Sequence, residues 1–259
     1  MQFGICTSID KAPQVKAAGW DFVEELVQPF LQAQVPDADW RGPQRVAASP
    51  LPVPAANSLL PAAMKVTGPV VDFEALKNYM ATVMARAQKT GIRTLVFGSG
   101  AARMVPEGFD RDKARAQILD FIRISADLAA KHDVMLVAEH LNKGECNIIN
   151  SVAEAMTYVR IVGHPYFKCL VDSWHFWLEN EPLESLRAAM PWIRHVHLAD
   201  TEGRVAPGLS GKCDYRSFFR VLKEGKYQGV MSVEAPAFIA VPDSAASVLE
   251  FLKGEWKQA

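Results

Sequence analysis

Four side chains able to hold a metal ion sit at the ends of four successive apolar runs. They are Glu139 in VMLVAEHLN, Asp172 in CLVDSWH, His197 in RHVHLAD and Glu234 in MSVEAP. They lie 33, 25 and 37 residues apart, each gap close to one strand–helix unit. Singly, a Glu or Asp after a strand reads as a helix cap or the partner of an arginine. Delivered together to one rim, three carboxylates would repel one another and resist ionisation in a partly buried site. A divalent cation removes that conflict. Three oxygens and one imidazole suit Mn2+, Mg2+ or Co2+ better than a purely structural Zn2+ site. The spacing therefore predicts one bound divalent metal ion, with Mn2+ the first candidate and Mg2+, Co2+ or Zn2+ behind it.

Other polar residues sort around this set. His175 follows Asp172 by three residues in the aromatic stretch DSWHFWLENE and reads as a polar contact on a pocket wall. His195 shares a strand face with His197 by period-two alternation, so it belongs deeper, behind the ligands or in the core. His132, His140 and His164 read as ordinary structural or surface histidines. Two phosphate-loop patterns fail. Gly98-Ser99-Gly100 follows a strand but has Arg103 where a dinucleotide fingerprint needs its third glycine. Gly208–Lys212 (GLSGK) has Ala206 where a P-loop needs its first. Both read as mobile loops over the site.

Positioning such a rim takes repeated strand–helix units. Candidate strands are Gln2–Thr7, Trp20–Leu26, Val53–Asn57, Ile92–Gly98, Asp133–Glu139, Phe167–Asp172, Ile193–Leu198 and Gly229–Glu234, several of them continuous apolar runs suited to buried parallel strands. Between them, Leu76, Met80, Val83, Met84 and Ala87 keep a 3.6 period from an Asp72 cap to Gly91. Ala114, Ile118, Phe121, Ile122 and Leu128 do the same. Shorter helices are expected at Asn150–Val162, Leu183–Met190, Tyr215–Glu224 and Asp243–Lys253. Eight units in 259 residues average about 32 residues each, which predicts an α/β (β/α)8 TIM barrel, one domain spanning 1–259. An open doubly wound sheet fits less well, because its first turn is normally glycine-rich and CTSIDKAP has none. The Pro43–Pro69 stretch reads as a long, irregular third unit.

Composition excludes several classes. A hydrophobic share of 49% and a charged share of 22% rule out disorder, and a net charge of −1 gives no pull toward nucleic acid or anionic membrane. No run approaches the roughly 18 apolar residues of a membrane span. Four scattered cysteines and a start (MQFGICTSID) without a signal core predict a reduced, cytoplasmic protein.

The segments VFGSGAARMVPEGFDRDKA, VAEHLNKGECNIINSVAEA, CLVDSWHFWLENEP, HVHLADTEGRVAPGLSGKCDY and YQGVMSVEAP resemble the xylose isomerase-like barrel superfamily. Within it they resemble the sugar isomerase/epimerase branch of ketose 3-epimerases and hydroxypyruvate isomerase. The resemblance runs from about Leu95 to Pro236 and is loose over the first third. It implies metal ligation by Glu139, Asp172, His197 and Glu234, acid/base roles for Glu139 and Glu234, and substrate contacts from Glu145, His175 and Arg204. His140 departs from the proline common at that position, which bears on the loop leading to Glu145.

The implied activity is a metal-dependent sugar isomerase or epimerase moving a proton next to the carbonyl of a small keto-sugar or keto-acid. Carboxylates from the fifth and eighth strands would flank the substrate, one removing the proton and the other returning it. A lyase of the same superfamily, of inositol or dehydroshikimate type, starts from the same proton and is the alternative. An endonuclease IV-like phosphodiesterase is disfavoured, since AANSLL and VFGSG bring none of the extra histidines it needs. By analogy with similar barrels, a homo-oligomer (dimer or tetramer) is expected.

Overall fold

Leu95–Phe97 and Leu136–Ala138 are fully buried, as strands covered on both faces must be. In the computed structural model, which describes residues 1–259, eight such strands close in chain order into one parallel barrel. They are β1 (Phe3–Cys6), β2 (Phe22–Leu26), β3 (Ala55–Asn57), β4 (Thr94–Phe97), β5 (Met135–Glu139), β6 (Phe167–Asp172), β7 (Ile193–Leu198) and β8 (Met231–Val233). All eight expected strands are present, several trimmed at their ends.

The main core lies between the strands and the surrounding helices. The helix Phe73–Thr90 starts where the Asp72 side chain accepts from the Ala75 amide and stops at Gly91, whose φ is 77°. Leu76, Met80, Val83, Met84 and Ala87 form its buried stripe. Asp110 caps the helix Arg111–His132 in the same way. Inside the barrel, Val96, Val137 and Leu170 form a separate small cluster. Phe22 occupies the space beside Gly4, where an added Cβ would come within 2.3 Å of its ring.

The structure adds elements that periodicity does not show. The Pro43–Pro69 stretch is less irregular than expected: it contains part of the helix Gly42–Ala48 and β3. Short helices also occur at Ala12–Ala17, Val27–Leu31, Gly100–Arg103 and Ser173–Leu178. The last helix runs Ala245–Gln258, past the expected end at Lys253, because Gly254 keeps helical geometry within it.

Register decides which side chains meet at the mouth. Between β6 and β7, Cys169 pairs with Ile193 but Leu170 pairs with His195, a one-residue shift. Without it, Asp172 would sit opposite Val196. With it, Asp172 sits opposite His197, so acid and imidazole share a face.

Candidate metal centre and active site

Glu139, Asp172, His197 and Glu234 come together at the carboxyl ends of β5 to β8. One ligand atom from each lies within 4.8 Å of all the others. That spread suits a single ion bonded at roughly 2.0–2.3 Å, whose opposite ligands stand a little over 4 Å apart. His197 Nδ1 lies 3.1 Å from Glu139 Oε1 and 3.4 Å from Glu234 Oε2. Asp172 Oδ1 accepts from the Trp174 and His175 amides, capping the helix Ser173–Leu178, while its Oδ2 is buried without a partner. Glu234 Oε1 accepts from Asn57 Nδ2 at 3.0 Å and Oε2 from Arg204 Nη2 at 2.7 Å. Close packing makes room for Glu139: a Cβ on Gly98 would stand 2.1 Å from its Oε2.

The electrostatics fit a site for a divalent cation. Burial pushes Glu139 up to about 7; a hydrogen bond from His197 opposes this, and repulsion from Glu234 adds to it. Burial and the Glu234 charge also raise Asp172. Glu234 goes the other way: the His197 ring and the Arg204 guanidinium outweigh its burial and hold it low. His197 is raised, because Glu24 and Glu234 outweigh burial in favouring the imidazolium. A cluster that must recruit protons to relieve its own repulsion is one a divalent ion would neutralise.

Behind His197 stands Glu24, a residue sequence reasoning left outside the metal site. It is wholly buried on β2, and its Oε1 lies 2.9 Å from His197 Nε2. Its Oε2 accepts from Ser232 Oγ at 2.5 Å and lies 2.7 Å from His195 Nε2. His195 thus occupies the deeper position expected of it. The His197 and His195 charges overcome burial and hold Glu24 low, so it is a fixed anion.

The three residues implied as substrate contacts also converge. Glu145, His175 and Arg204 line one cavity of about 400 Å³ with Glu139 and Glu234. Arg204 lies over the Trp174 ring at 4.2 Å and 3.5 Å from Glu145. His175 Nδ1 accepts from the Asn142 amide at 3.0 Å, which assigns the ring proton to Nε2. Nε2 is buried, unpartnered and 3.9 Å from Glu145 Oε2. Burial and the Arg204 charge push this ring down to about 3, so it is neutral.

Three further residues shape the mouth. Arg103 is wholly buried and donates to the carbonyls of Phe97 at 2.8 Å and Glu139 at 2.7 Å, tying β4 to β5. Asn57 ends β3 against Glu234. Asp200 accepts from the Gly208 amide and from the amide and hydroxyl of Ser210. The two glycine loops are therefore tied down, where the sequence suggested mobile covers: Ser99 Oγ likewise accepts from the Leu60 amide. His140 is not an ordinary satisfied histidine either. It is fully buried and neither ring nitrogen has a hydrogen-bond partner.

A family described as xylose isomerase-like TIM barrel matches residues 13–254. The 3-dehydro-D-guloside 4-epimerase of Escherichia coli (strain K12) is 29% identical over 130 residues, 50% of this chain and 48% of its own. The chain thus spans about half the length of that relative. The L-ribulose-5-phosphate 3-epimerase of Salmonella typhimurium is 25% identical over 247 residues, 87% of this chain and 81% of its own. A D-psicose 3-epimerase crystallised in the presence of D-fructose superposes with a TM-score of 0.85 at 18% identity, covering 99% of both chains, a likeness of fold.

Proposed function

This chain belongs to the xylose isomerase-like TIM barrel family, and on that premise we propose that it is a metal-dependent sugar isomerase or epimerase. Its substrate is a small, unphosphorylated keto-sugar or keto-acid, from which a proton is moved next to the carbonyl. One observation carries this reading: two glutamates from β5 and β8 enter a single cavity from strands three apart, within a four-ligand cluster.

Glu139, Asp172, His197 and Glu234 would hold the ion, with Mn2+ the first candidate. When bound, it supplies Lewis-acid polarisation of the substrate carbonyl and an adjacent hydroxyl. The chain's own groups do the rest. Glu139 and Glu234 hold and move the carbon-bound proton, one removing it and the other returning it from the far side. Inversion of the centre results. Return to the neighbouring carbon from one side gives aldose–ketose isomerisation instead. His175 donates from Nε2 to a substrate oxygen, and its neutrality keeps that proton in place. Arg204, pinned on Trp174, presents the cavity's one cation, and Glu145 accepts from a substrate hydroxyl. Arg204 already faces Glu234, Glu145 and Asp172, which leaves no free cation for a phosphate and supports an unphosphorylated substrate.

The test is a panel of ketoses, hydroxypyruvate and keto-inositol in deuterated water with Mn2+, followed by NMR. Solvent deuterium entering one carbon next to a carbonyl, with no loss of water from the product, is the expected result. Dehydration would convert the reading to a lyase. No exchange in any panel member would overturn it.

A further inference from the structure

Asn57 ends β3 with 1% of its surface exposed, directly against Glu234. A carboxylate only accepts hydrogen bonds, so the amide atom 3.0 Å from Glu234 Oε1 must be the nitrogen. That turns Oδ1 the other way. Oδ1 is buried and has no hydrogen-bond partner. A buried acceptor left bare is a standing cost that a donor from a ligand would relieve.

The surroundings say what that donor is. Asn57, Glu234 and Arg204 form the partition between the polar cavity and a smaller one of about 200 Å³, and line both. The oxygens of Glu139, Glu145 and Glu234 crowd the polar side, and Arg204 already pairs with two of them. Asn57 lines this space, and an unpaired acceptor on its wall would repel a phosphate or carboxylate and welcome a hydroxyl.

Resting on the sugar reading above, we infer that Asn57 has two functions in this site. Its amide nitrogen positions Glu234, and its Oδ1 selects a neutral ketose by accepting from one of its hydroxyls. The first function acts through Glu234 and exists without substrate. The second exists only with a sugar bound.

Two measurements separate them. Mn2+ affinity, by calorimetry on the stripped protein, reads the positioning of Glu234. Asn57→Leu, of similar size but without polar atoms, should weaken it about tenfold with an unchanged melting curve. Affinity of the Mn2+-loaded protein for D-fructose and its monodeoxy analogues reads the acceptor. Wild type should lose about tenfold at one deoxy position, the usual worth of a single hydrogen bond, and Asn57→Leu should erase that preference. Asn57→Ala, also without polar atoms in its side chain, repeats both measurements should the leucine variant melt early. Mn2+ affinity within twofold of wild type overturns the positioning function. Equal discrimination of the deoxy analogues by variant and wild type overturns the selective one. Absence of D-fructose and deoxy-sugar binding to wild type counts against both the sugar reading and the acceptor function, whereas a normal wild-type preference that survives in the variant counts against Asn57 alone.

Discussion

Glu24 lines neither cavity, yet its carboxylate meets the ring of His197, one of the proposed ligands. The His197 ring is held between two carboxylate environments, Glu24 at Nε2 and the Glu139/Glu234 pair at Nδ1. A charged acceptor behind a ligating imidazole fixes the ring's orientation and tautomer and raises its basicity as a ligand. Replacing it with an amide removes the charge and leaves the shape nearly intact. Glu24→Gln is expected to weaken Mn2+ binding about 10- to 100-fold while the fold persists. Titration calorimetry with circular dichroism checks this, and an unchanged Mn2+ affinity would show that His197 does not depend on Glu24. The four proposed ligands were legible because each ends an apolar run one unit after the last. Glu24 was not, because it lies inside β2 beside Glu25, and alternation alone does not say which of two neighbouring glutamates faces the lumen. Glu25 turns elsewhere, accepting from the Ile9 and Leu26 amides. Asn57 hid for a related reason: the sequence ends the third strand at it but does not show that its amide meets Glu234.

Elements bring these residues to the mouth, and the segment from Asp200 to Lys212 is the most exposed to manipulation. It carries Arg204, which adopts a left-handed φ of 47° beside Gly203, and it is fastened by the three hydrogen bonds that Asp200 accepts. Removing a buried carboxylate that satisfies three donors costs about 1–3 kcal/mol locally, and most of that loss should fall on the loop rather than on the barrel. Asp200→Ala is therefore expected to speed proteolytic cleavage within 203–212 several-fold and to raise KM more than it lowers kcat. Cleavage at the wild-type rate would mean the loop is held by something else. The long helices were legible from caps and periodicity, since Asp72, Gly91 and Asp110 do what those residue types do at helix ends. Helices such as Ala12–Ala17 and Gly42–Ala48 span two turns or fewer, less than a 3.6 period needs to declare itself. The β6–β7 shift left no trace in the sequence, because register is set by pairing between strands and not by either strand alone.

At the scale of the molecule, the proposed metal site and the fold are one system, because the four candidate ligands come from the ends of four consecutive strands of a closed barrel. Ligand that binds only the native state adds about 2.7 kcal/mol at one hundred times its dissociation constant. For a chain of this size that is a melting shift of about 5–10 °C. Removing the metal with a chelator should lower the melting temperature by that amount, and Glu139→Gln should abolish the difference. Apart from the metal, the pH dependence of folding should carry the mark of Glu181. Its side chain is 7% exposed, accepts from the Val152 amide and from Ser185 Oγ, and lies 3.4 Å from His140 Nε2, with the Glu179 charge nearby. Burial pushes it up to about 7 against the pull of those hydrogen bonds. An unfolded glutamate releases its proton near 4.3, so between about pH 4 and 7 the native state holds the extra proton. Stability from this group is then complete below the unfolded value and is lost as pH rises through the folded one. Glu181→Gln stays neutral at every pH and keeps an oxygen for the Val152 amide. In metal-stripped protein, wild type should lose about 2 kcal/mol more than Glu181→Gln between pH 5 and pH 8, read from urea unfolding at the two pH values. Parallel losses in the two proteins would mean that Glu181 is already ionised in the native barrel, its charge carried by the Val152 amide and the Ser185 hydroxyl.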